Sequence, residues 1–104
     1  MNIKNVKVTE VGPRDGFQSE KTILKTEDKI SIINELIDAG FPRIEVSSFV
    51  SPKAIPQLAD AEIILSKVKR SPNTTLAALV PNARGAIRAV EANLDEIVVF
   101  LSAS

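Results

Sequence analysis

Short aliphatic runs alternate with stripes at helical spacing along the whole chain, and that alternation restricts it to an α/β architecture. Val6, Val8 and Val11 form a β-branched run that stops at Gly12-Pro13, which predicts a first strand followed by a loop to about Lys25. Thr26 precedes Glu27 and Asp28, so it is the expected N-cap of a helix with two acids in its positive first turn. Ile30, Ile33, Leu36 and Ile37 share one face, widened by Ile32, and Gly40 suits the left-handed position past the end, giving a helix over about 26–39. In a second strand, Arg43 to Ser48, alternation sets Glu45 and Ser47 on one face and Ile44 and Val46 on the other. A loop from Ser51 to Pro56 leads into a stripe of Ala61, Ile64, Leu65 and Val68, a helix from about Leu58 that ends in Lys67, Lys69 and Arg70. Thr75 to Val80 is nearly continuous in apolar residues, as expected of a strand covered on both faces. Asn82 then caps a helix to about Ala92 with an Ala86, Ile87, Val90 stripe, Asn93 suits a left-handed end, and Glu96 to Leu101 is the fourth strand.

The order βαβαβαβ, with right-handed crossovers, lays four strands parallel with the helices outside. Ser102-Ala103-Ser104 follows the fourth strand directly, so the sheet is expected to keep an open edge that needs a partner, either the rest of a barrel or a second copy in a homo-oligomer. Four strands are half of an eight-stranded barrel. The expected fold class is therefore α/β with TIM-barrel-derived βα units: residues 1–104 as one domain, the N-terminal half of a (β/α)8 barrel, with an open flavodoxin-like sheet as the alternative.

Composition narrows the chemistry. The 104 residues contain no histidine and no cysteine, which removes disulfides, imidazole or thiolate metal ligands, a Ser-His-Asp triad and a cysteine nucleophile. Thirteen Lys plus Arg balance thirteen Asp plus Glu, so no overall field draws the chain to nucleic acid or an anionic membrane. No apolar run approaches the ~18 residues that span a bilayer. The first residues carry neither a signal core nor an Arg-rich leader, which predicts a cytoplasmic protein.

In parallel α/β folds the ligand meets the carboxyl ends of the strands. Those ends here carry Glu10 and the segment Gly12-Pro13-Arg14-Asp15-Gly16-Phe17-Gln18, then Glu45, Ser47 and Ser48, then Pro81-Asn82, then Ser102 and Ser104, with Lys21 and Lys53 flanking them. Pro13-Arg14-Asp15-Gly16 by itself is ordinary turn chemistry, and serines, Gln18 and solvated lysines commonly have no role beyond satisfying the backbone. Glu45 is harder to dismiss: a carboxylate between Ile44 and Val46 in mid-strand is costly to desolvate unless it meets a cation or a hydrogen-bond donor, though an arginine could serve as a purely structural partner. Asp15 offers one hard oxygen ligand for a divalent cation, and one carboxylate does not make a metal site. Neither a dinucleotide G-x-G-x-x-G nor a Walker loop is present.

Three stretches, Glu10-Val11-Gly12-Pro13-Arg14-Asp15-Gly16-Phe17-Gln18-Ser19-Glu20-Lys21, Ile44-Glu45-Val46-Ser47-Ser48-Phe49-Val50-Ser51-Pro52-Lys53, and Leu79-Val80-Pro81-Asn82, resemble the 3-hydroxy-3-methylglutaryl-CoA lyase family in order along the chain. The resemblance implies a retro-Claisen cleavage of an acyl-CoA to acetyl-CoA and acetoacetate on Mg2+ or Mn2+. It implies that Asp15 is a metal ligand, that Arg14 stabilises the developing enolate, and that Glu45 is an acidic residue needed for activity. Glu10, Gln18 and Ser48 would line or support the site, and Lys21 would lie toward the CoA. Phe17 and Ser19 depart from the commoner Leu and Asn. The family's remaining ligands, a His-x-His pair and an Asn, and its Cys-bearing loop belong to the second half of the barrel, so these 104 residues alone are expected to be inactive. The alternative is a noncatalytic half-barrel acting through self-association or a partner, and 2-isopropylmalate synthase-like enzymes are the chemical variant within the superfamily.

Overall fold

The computed structural model describes residues 8–19 and 21–99. Its elements are β1 (Thr9–Glu10), α1 (Thr26–Asp38), β2 (Arg43–Ser48), α2 (Ala61–Lys67), β3 (Thr75–Val80), α3 (Ala83–Glu91) and β4 (Glu96–Val99). All strand pairs are parallel, and the sheet runs β1-β2-β3-β4 in chain order. Each new strand joins beside the last, as in a barrel wall, whereas a flavodoxin-like sheet sets its first strand between the second and third. The order thus selects the barrel-type reading.

Register assigns the two faces, because paired residues share a side of the sheet. Ile44 pairs with Leu76 and Ala78 with Ile97 on the outer face, where Ile44, Val46, Leu76, Ala78 and Val80 meet Ile33 and Ile37 of α1 and Ile64 and Leu65 of α2 in one buried cluster. Each such side chain contributes about 1.5–3 kcal/mol on burial. The inner face carries Thr9, Arg43, Glu45, Ala77 and Glu96. There Arg43 donates to Thr9 Oγ1 at 3.3 Å and to Glu96 Oε1 at 2.8 Å, linking β1, β2 and β4.

A bulge corrects the simple alternation expected in β2. The register shifts between Glu45 and Ser47, so that Glu45 pairs with Ala77, Ser47 with Ala78 and Ser48 with Leu79. One extra residue turns the faces over. Ser48 therefore joins Glu45 on the inner face, and Ser47 sits on the helix-facing side, where its hydroxyl is fully buried without a hydrogen-bond partner among the described residues.

The helix ends follow the expected chemistry where glycine and asparagine decide. Gly40 (φ 90°) and Asn93 (φ 59°) take left-handed conformations past α1 and α3. Around Asn93, Leu94 N donates to Ala89 O and Asn93 N to Val90 O, a Schellman arrangement that satisfies the last carbonyls of α3. Asn82 caps α3, its Oδ1 accepting from Gly85 N at 2.8 Å.

Elsewhere a competing partner wins. Lys25, not Thr26, holds the N-cap position of α1, because the Thr26 hydroxyl donates to Asp60 Oδ2 at 2.7 Å. The second helix starts at Ala61 instead of Leu58, after a 3-10 turn over Pro56–Leu58, and stops at Lys67, before Lys69 and Arg70. Gln57 O, in that 3-10 turn, accepts from Lys29 Nζ. The first strand is described over Thr9–Glu10, with Val6 of the expected run outside the described residues, and a π-helical turn over Gly12–Gly16 replaces the expected loop, with Pro13 near its start where no donor is missed. On α3, Ile87 and Val90 are exposed, and the side turned inward is built from Gly85 and Ala89. The helix rides too close for larger groups: a Cβ on Gly85 would lie 2.7 Å from Phe49 O. The fourth strand is described to Val99, and its expected end at Leu101 lies outside the described residues.

Two stability measurements follow from this packing. Gly85→Ala should lower the urea midpoint by an amount corresponding to roughly 1–3 kcal/mol, the usual cost of overpacking; a neutral result would contradict the close approach of α3 to Phe49. Ser47→Ala removes an orphaned hydroxyl whose burial costs about 1–3 kcal/mol, so it should be neutral or stabilising, and a marked loss of stability would show that the hydroxyl has a partner.

Candidate active site at the carboxyl rim

The π-helical turn after β1 carries Arg14 to the carboxyl end of β2. Its Nε donates to Glu45 Oε1 at 3.2 Å, and both side chains are largely buried. Glu45 thus has the cation that its mid-strand position demands. Asp15 stands at the same mouth, its Oδ1 3.5 Å from Arg14 NH1, with its side chain 65% exposed. Glu10 supports the turn from below: Oε1 accepts from Gly12 N at 2.9 Å, and a Cβ at Gly12 would lie 2.7 Å from that same oxygen. A larger residue at position 12 would push the Glu10 carboxylate aside.

Ser48 lies on the Glu45 side of the sheet, buried, donating to Leu79 O at 3.4 Å. Gln18 is half-buried one helical turn beyond Arg14. Lys21 and Lys53 are exposed on the loops after β1 and β2. Of the residues expected at the rim, the structure brings Arg14, Asp15 and Glu45 into contact and sets Ser48 on their side. It assigns Glu10 and Asn82 to backbone bonds, and it moves Ser47 to the opposite face. Ser102 and Ser104 lie outside the described residues.

Two interactions near the rim have no counterpart among the sequence expectations. Lys29 is buried on α1 and bonded to Asp60, and Arg88 of α3 is paired with Glu62 of α2. Lys29 was detectable, since it falls four residues before Ile33 on the apolar stripe. No local spacing marks Glu62 and Arg88, which come from successive crossover helices.

The described residues do not complete a metal site. No group of three acidic, histidine or cysteine side chains comes together among them. Glu45 is engaged by Arg14 and Glu10 by the Gly12 amide, which leaves Asp15 as a single oxygen donor at the mouth. No helix among the described residues is long and apolar enough to cross a membrane.

A parallel sheet in chain order, with a guanidinium and two carboxylates at its carboxyl rim, is the arrangement of a βα-barrel protein, in which successive loops build one mouth. The family model described as HMGL-like matches residues 5–104, and the chain belongs to that family. It is 50% identical over 101 residues to a hydroxymethylglutaryl-CoA lyase of Bacillus subtilis, covering 97% of this chain and 34% of that protein. A mitochondrial hydroxymethylglutaryl-CoA lyase of Arabidopsis thaliana is 46% identical over 97% of this chain and 22% of its own length. Among solved structures, the Bacillus subtilis HMG-CoA lyase superposes with a TM-score of 0.92 at 50% identity, covering 97% of this chain and 34% of that one. An HMG-CoA lyase of Acinetobacter baumannii in complex with coenzyme A and 3-methylmalate gives 0.91 at 51% identity, covering 94% and 32%. The chain therefore spans about a third or less of the length of these relatives.

Behind the rim, Arg88 grips Glu62 with two bonds, Nε to Oε2 at 2.6 Å and NH2 to Oε1 at 2.9 Å. Its NH1 donates to Val50 O at 3.1 Å, and the guanidinium stands 5.2 Å from the Phe49 ring centroid. The arginine thereby joins α2, α3 and the end of β2 beside a cleft of about 360 Å3 that also takes in Ser51, Asn82 and Arg84. A second cleft, about 820 Å3, opens at the other end of α2 and α3, between Arg70, Asn93 and Asp95, away from the rim. The hydrogen bond from Arg88 holds the Glu62 carboxyl below its ordinary 4.5 against the opposing effect of burial, and Glu62 raises Arg88 in turn. A carboxyl lowered by folding stabilises the fold above its unfolded value, and the contribution disappears as pH falls through the folded one. Stability should thus drop more steeply below pH 4.5 in the parent chain than in Glu62→Gln; parallel pH curves would contradict the pairing.

Proposed function

We propose that the complete protein cleaves 3-hydroxy-3-methylglutaryl-CoA to acetyl-CoA and acetoacetate, and that residues 1–104 supply the first half of its barrel and part of its catalytic mouth. The observation that carries this reading is the contact of Arg14 with Glu45 at the carboxyl rim of a chain about half identical to HMG-CoA lyases. A solved relative in complex with coenzyme A supports a CoA thioester as the ligand. Exposed Ile97 and Val99 on β4, with Ile87 and Val90 on α3, support the division of the barrel, since further βα units would cover them.

In the cleavage the tertiary hydroxyl loses its proton, the alkoxide collapses to the ketone of acetoacetate, and the electrons of the broken carbon–carbon bond pass into the acetyl-CoA enolate, which is then protonated. Negative charge grows on the thioester oxygen as that bond breaks. Arg14 stabilises it, and Glu45 holds Nε so that the terminal guanidinium nitrogens are presented without reorganisation. Ser48 and Gln18 line the acyl end, and Lys21 meets the CoA side. Asp15 is one oxygen ligand for Mg2+ or Mn2+, with the other ligands outside the described residues; a bound divalent ion lowers the cost of alkoxide character.

In the complete protein, Arg14→Lys should lower kcat by about 10²–10³-fold, the usual loss on removing a preorganised donor to an oxyanion, measured as acetoacetate release from 3-hydroxy-3-methylglutaryl-CoA. Unchanged turnover would overturn the role of Arg14, and an inactive parent protein would overturn the lyase reading. The isolated 104 residues with Mg2+ should show no turnover; robust activity would contradict the division of the site between two halves.

A further inference from the structure

Lys29 is 1% exposed, so its ammonium is held entirely by the protein. Its Nζ donates to Gln57 O and lies 2.9 Å from Asp60 Oδ1 and 3.2 Å from Oδ2. Thr26 Oγ1 donates to the same carboxylate. On its other side the ammonium stands 5.9 Å from the centroid of the buried Phe17 ring. Phe17 directly follows the turn that carries Arg14 and Asp15, and Gln57 and Asp60 end the loop that carries Ser51 and Lys53. One cation on α1 therefore touches both rim loops.

A buried ion pair is weak evidence for stability, because a well-packed apolar pair often does as well. What leucine or methionine could not supply here is a bond to the main-chain carbonyl of Gln57 in the 3-10 turn, together with a cation for the aromatic face. We infer that Lys29 is a positioning residue that fixes the Arg14 turn and the Ser51–Gln57 loop relative to each other, so that the guanidinium and the loop that flanks the acyl-CoA keep one geometry. This rests on the lyase reading. Lys29 acts through Phe17 and Gln57 and touches no reacting atom; small displacements of a positioned group are costly to turnover.

The test compares Lys29→Met, Asp60→Asn and the double variant in the complete protein. Lys29→Met leaves the Asp60 carboxylate buried without its cation and should lower the Tm. The double variant removes that charge and should recover the Tm, while kcat stays roughly 10- to 100-fold below the parent value and KM changes little. Amide exchange over residues 13–19 and 54–60 should be faster in the double variant than in the parent. Parent-like kcat in a double variant with restored Tm would overturn the inference and leave Lys29 a structural residue. If the parent itself lacks lyase turnover, the lyase reading fails, and amide exchange decides alone: unchanged exchange in both segments would overturn the link between the loops.

Discussion

A carboxylate on the inner face of a parallel strand has to be met by a positive charge, and the rim of this protein is arranged around that requirement. Glu45 is 8% exposed between residues that belong to the core, where an unpaired charge is costly. Arg14 meets it from the neighbouring unit. To deliver the guanidinium, the chain coils after Glu10 into a π-helical turn, with Pro13 near its start and the Gly12 amide tied to Glu10.

The same sheet separates two kinds of polar burial. On the inner face the bulge in β2 brings Ser48 to the side of Glu45, while on the outer face it strands the Ser47 hydroxyl among aliphatic neighbours. A bulge re-aims side chains at the expense of local order, and among the described residues that expense is one unsatisfied hydroxyl. Behind the strands, Lys29 and Arg88 each gather a main-chain carbonyl, a carboxylate and an aromatic face at the end of β2 or the loop beyond it. Segments with little regular structure of their own are thereby tied to the helices behind them.

Much of this is legible in the sequence. The aliphatic runs locate β2 and β3 to the residue, Gly40 and Asn93 mark their left-handed turns, and Glu45 betrays its need for a cation by its apolar flanks. The misreadings share a cause: a distant group outbids the local pattern. Asp60 takes the Thr26 hydroxyl from the helix start, and Phe49 presses so near α3 that glycine and alanine, not Ile87 and Val90, turn inward. The face of Ser48 depends on a bulge, which no alternation of residues announces. The ion pair of Glu62 with Arg88 joins helices in different crossover units and leaves no trace in local spacing.

The most direct test of the central claim is a structure of the complete protein with a CoA thioester bound. The account predicts the Arg14 guanidinium at hydrogen-bond distance, about 3 Å, from the thioester oxygen while Nε still rests on Glu45. An acyl group bound elsewhere, with the contact between Arg14 and Glu45 unchanged and facing away from it, would reduce that contact to a structural ion pair and contradict the account.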